Sequence, residues 1–174
     1  LETEYPVDPG RIYATGHSNG AIMSYRLVCE LTDKITAAAF QAGTLEVDEC
    51  RPTRPVSVLE IHGSDDTNIP LDGGFGDGLS QTDFTSPQSS IATVATLDGC
   101  GRMAESTDAD NPAVTHRVWA QCDDGVVVEM TIVDGANHAW MGHGTTRLQE
   151  TVVGAPYPGY DSSLAVWTFL AQNG

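Results

Sequence analysis

Arg11-Ile12-Tyr13-Ala14-Thr15-Gly16-His17-Ser18-Asn19-Gly20-Ala21-Ile22-Met23-Ser24-Tyr25 is the stretch whose reading decides the fold. Residues 11–15 are short, apolar and β-prone, and read as a strand. Gly16-His17-Ser18-Asn19-Gly20 breaks that run. From Ala21 to Leu31 the spacing turns helical, with Ile22, Tyr25, Leu27, Val28 and Leu31 able to line one face. A serine between two glycines, on a strand-to-helix turn, is held with its hydroxyl clear of the backbone. The flanking glycines are expected to relieve the crowding of that turn. The helix beginning at Asn19 then aims free N–H groups and a positive dipole end at the same place.

Upstream, Val7-Asp8-Pro9-Gly10 is a turn signal. Downstream, Ile35 to Ala42 and Val56 to His62 read as buried strands, and residues 63–87 as loop. Residues 88–97 read as a helix carrying Ile91, Val94 and Ala95 on one stripe, and 98–114 as loop again. Val114 to Gln121 and Val126 to Val133 read as a hairpin closed by Cys122-Asp123-Asp124-Gly125, where Asp-Gly is the turn signal. A Gly-rich loop follows His138, and Asp161-Ser162-Ser163 caps a last helix with Leu164, Val166, Trp167, Phe169 and Leu170. This order predicts an α/β fold: a mostly parallel sheet flanked by helices, with a late hairpin. The 174 residues suit a single domain, 1–174.

The formal net charge is −16, from 24 acidic against 8 basic residues, and Lys34 is the only lysine. That balance argues against nucleic acid and against anionic membrane surfaces, both of which need Lys/Arg neutralisation. No run of 18 apolar residues is present, so no transmembrane helix is expected, and the start of the chain lacks the pattern of a signal peptide. Cys29, Cys50, Cys100 and Cys122 make no Cys-x-x-Cys pair and have no histidine at zinc-finger spacing, so no metal is expected. Cys29/Cys50 and Cys100/Cys122 each bracket one loop-rich segment and read as two sequential disulfides, which implies an oxidising compartment. No cofactor motif is found.

A serine hydroxyl needs a base to take its proton. Of the five histidines, His17 is expected to point away from Ser18 and pack, and His62 to sit as a satisfied polar group in the sheet's rim. His116 and His143 read as surface. His138 ends the last strand and lies after Ser18 and after the acid, as the order serine, acid, histidine requires. The acid is Asp65 or Asp66, both just past a strand end, and spacing does not choose between them.

Three motifs together carry a resemblance. They are Gly16-His17-Ser18-Asn19-Gly20, His62-Gly63-Ser64-Asp65-Asp66-Thr67-Asn68-Ile69-Pro70 and Gly135-Ala136-Asn137-His138-Ala139-Trp140. With the lead-in Val7-Asp8-Pro9-Gly10-Arg11-Ile12-Tyr13, the chain resembles the secreted polyhydroxybutyrate-depolymerase/feruloyl-esterase group of the α/β-hydrolase superfamily. The resemblance runs over essentially the whole chain and implies an α/β-hydrolase fold and a serine ester hydrolase. It selects Asp66 as the acid and His138 as the base, and places Trp140 beside the base as a substrate contact. It supports the Cys100–Cys122 pairing and implies an extracellular enzyme acting on polyester or feruloyl-type esters. Met141 departs from the proline that the group usually has there.

The resemblance also implies that the chain is the C-terminal half of the fold. The absent half would supply further strands and the second oxyanion donor, leaving only the Asn19 N–H. Residues 11–15 are then expected to be an open edge, free to pair across a homodimer. The chain alone is expected to be a weak esterase. A peptidase or acyltransferase on the same fold, or an inactive binding remnant, are the competing readings.

Overall fold

A computed structural model describes residues 4–174. The 1–174 domain therefore includes three residues, 1–3, that lie outside the described part. The chain runs β1 (Tyr13–His17), α1 (Asn19–Glu30), β2 (Ala37–Gln41), β3 (Ser57–Gly63), β4 (Gly74–Phe75), β5 (Asp83–Phe84) and α2 (Pro87–Leu97). It continues β6 (Met103–Thr107), β7 (Val114–Trp119), β8 (Val128–Val133), α3 (Arg147–Val153) and α4 (Ser162–Asn173). Six strands form one mixed sheet in the order β1-β2-β3-β8-β7-β6. The first four are parallel to one another; β7 and β6 add on antiparallel.

The central strands are buried on both faces, which is why their sequences lack polar alternation. In β2, Ala38 and Phe40 face a layer containing Tyr25 and Val28 of α1 and Ile91 and Val94 of α2. Ala37 and Ala39 face the opposite layer, with Val166, Phe169 and Leu170 of α4. Helix α1 buries Ala21, Ser24, Tyr25, Val28 and Cys29; of the face expected from the sequence, Tyr25 and Val28 are buried, Ile22 and Leu27 are half-buried and Leu31 is exposed. Tyr25 packs against Phe40 with ring centroids 4.5 Å apart and ring planes tilted by 58°. Cys29–Cys50 and Cys100–Cys122 are disulfide-bonded. Among the described residues no helix is long and apolar enough to cross a membrane.

Four expectations need correction. The first strand is Tyr13–His17, not 11–15, because its ladder with β2 continues through Gly16↔Phe40 and His17↔Gln41 before the chain turns. Strand β6 lies within the stretch read as loop 98–114. It is an edge strand, and Met103-Ala104-Glu105-Ser106-Thr107 has too little apolar character to announce itself. The pair β4–β5 lies within the loop 63–87, two residues a strand. Helix α3 lies within the loop after His138, and no residue of it is buried.

Asp98 closes α2 and is buried, with the Val56 N–H 3.5 Å from its Oδ2. Burial pushes its carboxyl up to about 6, and nearby Asp123 adds to the rise. An acid raised in the folded state holds its proton more tightly there than in the unfolded chain. Its contribution is therefore lost as pH rises from about 4 through about 6. Asp98→Asn is expected to stabilise the protein by about 1–2 kcal/mol at pH 8, discounted for partial solvent screening, and by nothing at pH 4. Urea melts at the two pH values read this; an equal effect at both would contradict it.

Candidate active site

Ser18 sits between β1 and α1 at φ 56° and ψ −121°, a left-handed backbone that a serine rarely adopts. Its N–H donates to the Gln41 carbonyl at 3.1 Å, and its own carbonyl accepts from Ala21 and Ile22 as the helix begins. The turn is so tight that a Cβ on Gly16 would lie 2.3 Å from the Gly20 backbone. A Cβ on Gly20 would meet nothing within 4 Å. The crowding that both glycines are expected to relieve is thus relieved at Gly16 alone.

Asp66 follows β3 and His138 follows β8, so all three motifs stand at the C-terminal ends of strands in the parallel part of the sheet, β1-β2-β3-β8. The Ser18 Oγ lies 2.8 Å from His138 Nε2, and His138 Nδ1 lies 2.7 Å from Asp66 Oδ2. Asp66 Oδ1 accepts the N–H groups of Asn68 and Ile69, each at 2.9 Å. A carboxylate only accepts, so the His138 proton stays on Nδ1 and its Nε2 lone pair faces the serine. Asp66 and His138 are both buried at 3% exposure, whereas Asp65 is exposed and bonds to Ser64. Of the two aspartates that spacing leaves open, Asp66 lies within hydrogen-bond distance of His138. Such a relay can draw the proton from Ser18 and return it to a leaving group.

His17 does more than pack. Its Nε2 donates to the His138 carbonyl at 2.6 Å, and its ring lies 5.0 Å from that of His138. Burial pushes His17 below its ordinary value, so it is a neutral donor at pH 7. His62 is not at the rim: it is fully buried, with Nε2 donating to the Ile69 carbonyl at 2.9 Å and 3.5 Å from Asp66 Oδ2. Its Nδ1 is 3.0 Å from Glu60 Oε1. Burial pulls His62 down, but Glu60 and Asp66 outweigh it and leave His62 above its ordinary value. Burial pushes Glu60 up, and raises Tyr25, which faces Glu60, well above the ordinary phenol. His116 is half-buried against Glu129 at 2.9 Å, and His143 lies 3.6 Å from Asp161 on the surface.

A cleft of about 620 Å³ opens at Ser18 and His138. Asn19 and Ile22 of α1 form one wall, Leu79 and Phe84 of the β4–β5 region another, and Val152 and Val153 of α3 a third. Trp140 is not in that cleft. It lines a separate hollow of about 360 Å³ with His17 and Leu148, on the other side of Val152, and its Nε1 donates to Ser163. The walls from Phe84 and α3 escaped the sequence reading. One signal was available for α3: Thr146 and Gln149 form a reciprocal capping box, a spacing visible in the sequence. Among the described residues no cluster of His, Cys, Asp and Glu could hold a metal ion.

No protein-family model matches the chain. Feruloyl esterase B of Piromyces equi is 31% identical over 141 residues, covering 76% of this chain and 26% of that protein. The bifunctional acetylxylan esterase/xylanase XynS20E of Neocallimastix patriciarum is 25% identical over 141 residues, covering 80% of this chain and 19% of that protein. Feruloyl esterase C of Emericella nidulans is 33% identical over 97 residues, covering 51% and 36%. The chain thus spans well under half the length of these curated relatives. Among solved structures, an acetyl xylan esterase from Aspergillus awamori superposes with a TM-score of 0.54 at 15% identity, over 78% of this chain and 57% of that one. That likeness concerns the fold: a mixed sheet with flanking helices.

Proposed function

We propose that the chain carries the reactive part of a serine ester hydrolase of α/β-hydrolase type, with Ser18 as nucleophile, His138 as base and Asp66 as orienting acid. The observation that carries this reading is the unbroken relay Ser18–His138–Asp66, at 2.8 and 2.7 Å. The similarity to feruloyl and acetylxylan esterases supports it. Ser18 Oγ attacks the ester carbonyl as its proton passes to His138 Nε2. The Asn19 N–H, first in α1, takes the oxyanion. The tetrahedral intermediate collapses as His138 returns the proton to the leaving alcohol, and an acyl-enzyme remains. His138 then activates water, and the acid is released.

The apolar side chains of Ile22, Leu79, Phe84, Val152 and Val153 favour an apolar or aromatic acyl group, as in feruloyl or polyester substrates. Polyhydroxybutyrate-type chains belong to the same proposal. Trp140, outside the cleft, would meet only a substrate long enough to pass over α3. Two disulfides support an extracellular location. The test is hydrolysis of p-nitrophenyl esters of increasing acyl size, with Ser18→Ala as blank.

Among the described residues β1 pairs only with β2, which leaves its other edge open. That edge is proposed to pair with a second copy of the chain. Light scattering across a hundredfold dilution is expected to show a dimer that dissociates; a monomer throughout would remove the pairing.

A further inference from the structure

The His138 loop is held by side chains from two other strands. His17, ending β1, holds the carbonyl of His138 itself. Gln41, ending β2 and fully buried, holds the next residues: its Nε2 donates to the Ala139 carbonyl at 2.8 Å, and its Oε1 accepts from the Met141 N–H at 3.3 Å. The same Oε1 accepts from Ser162 Oγ at 2.6 Å, at the start of α4. Meanwhile the Gln41 backbone carbonyl accepts the Ser18 N–H at 3.1 Å. One buried residue is thus hydrogen-bonded to the turn bearing the serine and to the loop bearing the histidine. An amide is suited to this place: it offers a donor and an acceptor side by side without a charge, as a pair of backbone groups requires.

The geometry assigns Gln41 as the positioning residue that sets the distance between Ser18 Oγ and His138 Nε2. This rests on the serine-hydrolase reading of the site. Ser18 and His138 meet across 120 residues of chain, and neither lies in the sheet ladder. Without the amide, the loop keeps the His17 bond, which ties it to the end of β1, and the Asp65 N–H bond to the Ala136 carbonyl, which ties it to the end of β3. Neither refers the loop to β2. A shift of about 1 Å in the relay is enough to cost about a hundredfold in rate.

The test compares wild type with Gln41→Met, which keeps the length and removes the polar atoms, and with Gln41→Glu. Phosphonylation of Ser18 by a small fluorophosphonate is followed, and reacted protein is counted by mass so that the rate is per competent site. Wild type is expected to label, and Gln41→Met to label about 10- to 100-fold more slowly per folded molecule. A purely structural role would lower the folded fraction and leave that rate alone. Gln41→Glu keeps the fork, and its neutral acid can still donate to the Ala139 carbonyl. Its rate relative to wild type is expected within about threefold at pH 5 and to fall about tenfold or more by pH 8, as the buried carboxyl ionises. If Gln41→Met does not fold, the Gln41→Glu profile decides. A labelling rate equal to wild type in the folded variant, or a flat Gln41→Glu ratio, would overturn the assignment and leave the serine-hydrolase reading intact. Failure of wild type to label at Ser18 would overturn both.

Discussion

Replacing Ser18 with alanine is expected to lower p-nitrophenyl butyrate hydrolysis at least 10⁴-fold, on the scale that loss of a relay nucleophile has in serine hydrolases. Nothing else in the cleft can substitute. Its other polar side chains are committed elsewhere: Glu46 accepts from the Thr85 N–H, Asn68 donates to the Val152 carbonyl and Thr82 donates to the Ser80 carbonyl, and none of them is hydrogen-bonded to a histidine. Asp66→Asn is expected to cost about 10⁴-fold by a different route. Its amide can turn an N–H towards His138 Nδ1, which forces the imidazole proton onto Nε2, where it meets the serine hydroxyl donor to donor. Both variants should fold, since each preserves shape. The readout is initial rate beside the parent chain, with fluorophosphonate labelling as a second measure. Retention of more than a tenth of parent activity by Ser18→Ala would remove the serine from the mechanism.

Gly63→Ala is the second large effect. Gly63 ends β3, and a Cβ there would stand 2.2 Å from the Ala136 carbonyl oxygen and 2.6 Å from its carbon. Both are backbone atoms, so no side chain can swing aside. They belong to the turn that delivers His138, and the Asp65 N–H is bonded to the same carbonyl at 2.9 Å. Strands β3 and β8 must therefore separate at their reactive ends. The expected cost is about 3 kcal/mol, at the upper end for overpacking, with about a hundredfold loss of rate in the molecules that remain folded. Gly144→Ala is the control, because a Cβ there meets nothing within 4 Å. Urea melts of the two variants should differ by most of that 3 kcal/mol; equal midpoints would show that the β3–β8 approach is looser than these distances say.

Legibility in the sequence followed burial and punctuation. The turn at Ser18 was readable because the apolar run before it and the helical stripe after it have different periods. Strands β2 and β3 were readable as short, largely apolar runs between loop signals, and β7–β8 from the Asp-Gly step between them. Strand β6 and helix α3 were not, because neither buries a face: Glu105 and Ser106 are exposed, and so are Leu148 and Glu150. Among the site residues, Ser18 and His138 stood out by motif and order, while Asp66 needed the resemblance to separate it from Asp65. Glu60 and Gln41 were invisible for a physical reason. Each is a polar residue on a strand that is otherwise buried, and its partners lie up to 121 positions away in the chain. Local pattern carries no record of such a partner.

The parallel order β1-β2-β3-β8 has a consequence in time. On a ribosome the serine emerges first, the aspartate next and the histidine last, and β8 must dock against β3 before the relay closes. On the proposed mechanism, chain elongation would therefore act as a delay: Ser18 is made 120 residues before His138. A nascent or clipped chain lacking β8 carries an ordinary serine hydroxyl, so reactivity arrives only with nearly the whole sheet. On the proposed mechanism, Ser18-dependent ester hydrolysis would therefore report that β8 has docked against β3.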